Sequence, residues 1–198
     1  MRIGQKHYLV GIDEAGRGPL AGPVSVAAVV SIRRGGFNNK IRDSKKLSEP
    51  KREEWFKWLK EKQKKGELKF AVSLVGEKII DEQGIVPAVR IGIRRCLNRL
   101  KLNPVQCRVL LDGSLKAPKI YQDQETIIRG DETVSIIALA SIAAKVTRDR
   151  KMVRLAKKFP QYQFAIHKGY GTRAHYRALQ KHGLSPLHRR SFCKGIDK

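Results

Sequence analysis

Nine consecutive uncharged residues, Val24-Ser-Val-Ala-Ala-Val-Val-Ser-Ile32, stand in a chain of which 30% is charged. A run this short, rich in β-branched side chains and without polar alternation, reads as a buried strand. The opening His7-Tyr-Leu-Val-Gly-Ile12 reads as another. Gly11 to Pro23 forms a glycine-rich connection, so the two strands are expected side by side.

The remaining periodicities fill in the layers. Ser48 offers an N-cap to a helix through Lys65 that carries Trp55, Phe56, Trp58 and Leu59, expected in the core, with Gly66 as terminator. Leu68 to Val75 reads as a third strand. Pro87 suits the first turn of a helix with Ile93, Cys96, Leu97 and Leu100 at three- and four-residue spacing. Cys107 to Leu111 reads as a fourth strand, and Ile127-Ile128 closes a short fifth. Ser135 to Lys158 reads as a long helix whose Ala138, Ala140, Ser141, Ala143 and Ala144 are small enough to approach a sheet closely; Thr172 to His182 reads as a last helix. Strands first, then strands alternating with helices, predict an α/β fold: a central mixed sheet flanked by helices, with a small helical C-terminal region at about 160–198 of a single 1–198 domain. Arg33 to Asn39, with Gly35-Gly36, is the one linker-like stretch.

Charge narrows the function. Lys and Arg number 42 against 18 Asp and Glu, a formal +24. Such a surplus calls for a polyanion, and phosphate backbones are the commonest. An anionic membrane surface would need an amphipathic basic helix, and no apolar run reaches the roughly 18 residues that span a bilayer. A ribosomal or architectural binder fits the charge equally well. Met1 to Gln5 leads into the first strand without an apolar stretch and cleavage site, so a cytoplasmic location is expected. Cys96, Cys107 and Cys193 are odd in number with no C-x-x-C pair, and His7, His167, His175, His182 and His188 include no H-E-x-x-H. Neither a disulfide framework nor a zinc site is indicated, so a bound metal would be held by oxygen.

In so basic a chain, acids that end apolar runs stand out. Asp13 and Glu14 follow Leu9 to Ile12; Asp112 follows Val109 to Leu111. A carboxylate against a buried strand needs a partner. Side chains alternate along a strand, so Asp13 and Glu14 point apart while the strand stays regular. Asp131 precedes a helix and could equally be an N-cap; Asp149 lies within a helix, where its arginine neighbours are the expected partners. Asp131 therefore ranks ahead of Asp149 as a fourth carboxylate. Clustered hard oxygen ligands suit Mg²⁺ or Mn²⁺, two of which, about 3.5 to 4 Å apart, can hold both oxygens of a phosphodiester displacement in line. With the positive surplus, this favours phosphodiester hydrolysis over passive binding.

Six segments then resemble one family. Gly11-Ile-Asp-Glu-Ala-Gly-Arg-Gly-Pro19, Asp43-Ser-Lys-Lys-Leu-Ser48, Leu111-Asp-Gly113, Gly130-Asp131, Ala140-Ser-Ile-Ala-Ala-Lys-Val-Thr-Arg-Asp149 and His167-Lys-Gly-Tyr-Gly-Thr172 together resemble bacterial ribonuclease HII, of type 2 ribonuclease H, in the family's order over nearly the whole chain. The resemblance implies a ribonuclease H-like fold. It implies hydrolysis of the RNA strand of RNA–DNA hybrids, and cleavage 5' of ribonucleotides embedded in duplex DNA, in ribonucleotide excision repair and primer removal. It makes Asp13, Glu14, Asp112 and Asp131 the catalytic ligands of two Mg²⁺ or Mn²⁺ ions. Gly16, Arg17 and Gly18 would meet the ribose 2'-hydroxyl through their backbone. Tyr170 would stack near the RNA–DNA junction, and Lys45 and Lys46 would face phosphates. Arg17, and an Asp13 so near the start, favour type HII over ribonuclease HIII. A monomer is expected.

Overall fold

The computed structural model describes residues 8–32 and 47–195. Lys45, Lys46 and the Arg33–Asn39 linker reading lie outside the described residues. Five strands, β1 (Tyr8–Ala15), β2 (Val24–Ser31), β3 (Leu68–Val75), β4 (Cys107–Asp112) and β5 (Gln124–Ile127), form one sheet in the order β3-β2-β1-β4-β5. β1 pairs antiparallel with β2, and β2 with β3; β1 pairs parallel with β4, and β4 with β5. The sheet is mixed, as the element order predicts.

Every residue of β2 is buried, because both faces are covered. Val24, Val26, Ala28 and Val30 pack with Val89, Ile93, Cys96 and Leu97 of helix α3 (Ile85–Leu100). Ala27 and Val29 pack on the opposite face, with Phe56 and Leu59 of helix α1 (Glu49–Lys64) and with Ile136 to Ala144 of helix α5 (Ser135–Ala156). The alternation of one strand thus feeds two cores. Ala138, Ala140, Ala143 and Ala144 of α5 lie in that core, as expected of small residues, and the sheet makes room as well: a Cβ on Gly11 of β1 would lie 2.5 Å from the Ile136 carbonyl carbon, so only glycine admits the helix at this distance.

Two features depart from the sequence reading. Helix α2 (Glu77–Gln83) precedes α3 where none was expected, and Gly84, with φ 86°, separates the two. Pro87 still lies in the first turn of α3. Asp131, weighed as an N-cap, sits inside a short helix α4 (Gly130–Thr133), whose N-cap is Arg129; α5 is capped by Val134. At the C-terminal side, helices α6 (Phe164–His167) and α7 (Arg173–His182) bury Phe164 and Leu179 with Met152 against Leu20 and Ala21 of the β1–β2 connection. That packing brings the segment around Arg189 beneath the glycine-rich loop. Among the described residues, no helix is long and apolar enough to cross a membrane.

Candidate active site

The parallel pairing of β1 with β4 places Ile12 beside Leu111. The next residues, Asp13 and Asp112, therefore emerge together at the carboxyl ends of adjacent strands, where open α/β sheets form their crevices. β1 runs on through both acids to Ala15 rather than stopping at Ile12, so Asp13 and Glu14 leave opposite sides of the strand. β5 then brings Asp131. Arg129, with φ 56°, turns the chain into α4, and the Gly130 amide donates to Asp112 Oδ1 at 2.7 Å; the Asp131 amide lies 3.4 Å from the same oxygen.

These acids are held at an electrostatic cost. Asp13 is only 3% exposed. Burial, and then the negative charges of Glu14 and Asp112, raise its carboxyl well above the usual carboxylate range, opposed by hydrogen bonds from the Glu14 amide and Ser141. Glu14 pairs with Arg17 at 3.1 Å. Asp131 is fully buried. The donor set is all oxygen, and a hard divalent cation would offset the repulsion that lifts Asp13. In kind and charge the residues fit such a group. As they stand, no three His, Cys, Asp or Glu side chains among the described residues are gathered tightly enough to hold a metal ion.

Beside Glu14 opens a cleft of about 270 Å³, lined by Gly16, Arg52, Ser141, Lys145 and Tyr170 among others. The glycine-rich loop and Tyr170, about 150 residues apart in sequence, thus meet across one space. Tyr170 is 43% exposed, with Lys145 Nζ and the Arg148 guanidinium each 5.7 Å from the centre of its ring. Gly16 has φ 91°, and Gly18 has open space where a side chain would be.

The model of the family described as ribonuclease HII matches residues 10–195. The chain belongs to the ribonuclease HII family. It is 48% identical to ribonuclease HII of Endomicrobium trichonymphae over 184 residues, covering 93% of this chain and 84% of that protein. It is 45% identical to ribonuclease HII of Caldicellulosiruptor bescii over 189 residues, 96% of this chain and 88% of that one. Among solved structures, ribonuclease HII of Archaeoglobus fulgidus, determined in complex with PCNA, superposes with a TM-score of 0.74 at 24% identity, over 96% of this chain and 97% of that one. A Bst ribonuclease HIII in complex with Mn²⁺ gives a TM-score of 0.62 at 16% identity, over 94% and 65%. These last two likenesses speak for the fold. As a ribonuclease HII, the chain is an RNase H-type endonuclease.

Within this ribonuclease HII the structure adds residues that sequence reasoning passed over. Ser141, Lys145 and Arg148 fall four and three residues apart on one side of α5, and that spacing was the available signal. Asp149, expected to pair with arginines, instead accepts from Lys145 Nζ at 3.0 Å. Its neighbour Arg148 is occupied by main-chain carbonyls, and Arg150 pairs with Glu53. Arg189 is fully buried beneath the glycine-rich loop, and nothing in the sequence distinguishes it from the other arginines of the basic end.

Proposed function

We propose that this ribonuclease HII hydrolyses the RNA strand of RNA–DNA hybrids and cuts on the 5' side of ribonucleotides embedded in duplex DNA, leaving 3'-hydroxyl and 5'-phosphate ends. The observation that carries the reading is the juxtaposition of Asp13 and Asp112 at neighbouring strand ends with a cleft that joins Gly16 to Tyr170. Asp13, Glu14, Asp112 and Asp131 would hold two Mg²⁺ or Mn²⁺ ions. When bound, such ions supply an activated water and neutralise charge at the leaving oxygen. The protein's own part is positioning. The β1–β4 register fixes Asp13 against Asp112. Asp112 in turn fixes α4, and with it Asp131.

Gly16, Arg17 and Gly18 would present main-chain groups to the 2'-hydroxyl, the group that tells RNA from DNA. Tyr170 would stack on the junction, and base or sugar stacking of this kind tolerates any sequence. Lys45 and Lys46 would meet phosphates, together with the excess basic charge of the surface. We place the enzyme in the cytoplasm as a monomer acting in ribonucleotide excision repair and primer removal. The test is a duplex with a single ribonucleotide, compared with a long hybrid and with single-stranded RNA, in Mg²⁺ and in Mn²⁺. Cleavage confined to the 5' side of ribonucleotides within duplexes is expected. Equal cutting of single-stranded RNA would point to another nuclease of the same fold, and binding without turnover to a passive binder.

A further inference from the structure

Two arginines beneath the cleft are fully buried, and each is occupied by the main chain. Arg189 donates from Nε to the Gly22 carbonyl at 2.9 Å, from Nη1 to that of Arg17 at 2.8 Å and from Nη2 to that of Gly16 at 2.7 Å. Arg148 donates from Nε to Pro23, Nη2 to Ala21 and Nη1 to Lys168, at 2.9, 3.2 and 3.0 Å. All six bonds end on carbonyls: five in the connection between β1 and β2, the sixth in the segment that carries Tyr170. Burial, and the charge of Arg148 close by, push Arg189 down to about 10, so it remains charged at neutral pH. Burying two like charges is expensive, and here they hold one loop.

The direction of those carbonyls has a chemical consequence. Across a trans peptide, the carbonyl of one residue and the N–H of the next point opposite ways, and the chain has no cis peptide bond among its described residues. With the Gly16 and Arg17 carbonyls drawn in to Arg189, the N–H groups of Arg17 and Gly18 face away from it, beside the cleft that Gly16 lines. We propose that Arg189, seconded by Arg148, is a positioning residue for substrate recognition: it aims the Arg17 and Gly18 amides at an oxygen of the ribose-phosphate backbone. This rests on the reading above in which that loop meets the ribose. Arg148 adds the link to the Tyr170 segment, so that the two sides of the cleft keep a fixed spacing. Lysine, a point charge with one ammonium group, cannot bridge three carbonyls in a plane.

The test uses the full chain with Mn²⁺ on a long RNA–DNA hybrid, so its outcome is independent of whether single ribonucleotides are cut. Arg189→Lys and Arg148→Lys are compared with wild type, and with Leu100→Ala as a control for destabilisation in the core on the other side of the sheet. Rates are normalised to the folded fraction at the assay temperature. In both arginine variants kcat/KM is expected to fall roughly 10- to 100-fold, the order that small misplacements cost. The loss should appear in KM, with the Mn²⁺ concentration for half-maximal activity unchanged, while Leu100→Ala keeps the wild-type KM. A folded Arg189→Lys with wild-type KM overturns the proposal, and so does a loss that higher Mn²⁺ restores. Should Arg189→Lys not fold, Arg148→Lys decides by the same two readouts. Failure of the wild type on a single-ribonucleotide duplex would count against the specificity reading alone.

Discussion

Gly16 and Gly18 lie two residues apart in one motif, yet the structure gives them different reasons to be glycine. At Gly16, φ is 91°, and a Cβ would fall 2.0 Å from Arg148 Nε and 2.4 Å from its Cδ. Arg148 cannot swing away without giving up bonds to Pro23, Ala21 and Lys168. Left-handed backbone costs an alanine about 1–2 kcal/mol. Losing even one charge-assisted hydrogen bond adds about 1.5–3 kcal/mol. Gly16→Ala should therefore cost about 3–5 kcal/mol, which for a domain of this size lowers Tm by about 6–20 °C. Gly18 has no positive φ and no heavy atom within 4 Å of its missing Cβ. Gly18→Ala should stay within about 1 kcal/mol of wild type, under about 4 °C. Its cost should appear in hybrid binding, where the loop meets the substrate. Thermal melts of both variants in metal-free buffer, with a binding titration, make the comparison. A Gly16→Ala melt within about 2 °C of wild type would refute the packing argument, and so would equal destabilisation by the two changes.

Asp112→Asn keeps an oxygen to accept from the Gly130 amide and should melt within about 1 kcal/mol of wild type while abolishing cleavage. Asp112→Ala should cost a further 1–3 kcal/mol or so, because the amide is left unpaired; equal melts for the two would refute this. His188 is buried against His175, and burial, then the charge of His175, pushes it down to about 4. The unfolded chain takes up its proton near the ordinary value of about 6.5, so the stability due to a neutral His188 is present above that and lost as pH falls from there toward 4. The wild-type stability advantage over His188→Gln, followed by Tm, should shrink through that window by up to roughly 3 kcal/mol; a constant gap would contradict it. Tyr170→Ala removes a half-exposed ring and should leave Tm nearly unchanged, yet cut activity on a single ribonucleotide more than on a long hybrid, by the roughly 1–3 kcal/mol of one stacking contact. Equal loss on both substrates would argue for a loop anchor instead.

Much of the fold was legible because strands and helices here obey their own periods. Leu68–Val75 is a strand as read, and Ala138, Ala140, Ala143 and Ala144 do lie in the core that α5 shares with Ala27 and Val29 of the sheet. Helix α2 was missed because Pro87 marked the only start the sequence offered there; the shared boundary of the two helices is Gly84, whose φ of 86° only the fold reveals. For the site, strand ends pointed to Asp13, Glu14 and Asp112, because an acid ending a buried run has few structural uses. Their meeting depends on β1 pairing with β4 across roughly a hundred residues of sequence, which no local pattern encodes. Asp131 was ambiguous with a cap until Arg129 took that place. Arg148 and Arg189 were illegible for a plainer reason: the chain has 42 basic residues, and among the described ones burial alone separates these two from the rest.

In the proposed activity, carboxylates brought together by the β1–β4 register cut a duplex at its ribonucleotides. The direct measurement is a duplex carrying one ribonucleotide, incubated with Mg²⁺ or Mn²⁺ and wild type or Asp112→Asn, with products mapped at single-nucleotide resolution. One cut is expected, immediately 5' of the ribonucleotide, that leaves a 3'-hydroxyl and disappears in Asp112→Asn. Equal cleavage by the variant, or an intact duplex with the wild type, would contradict it.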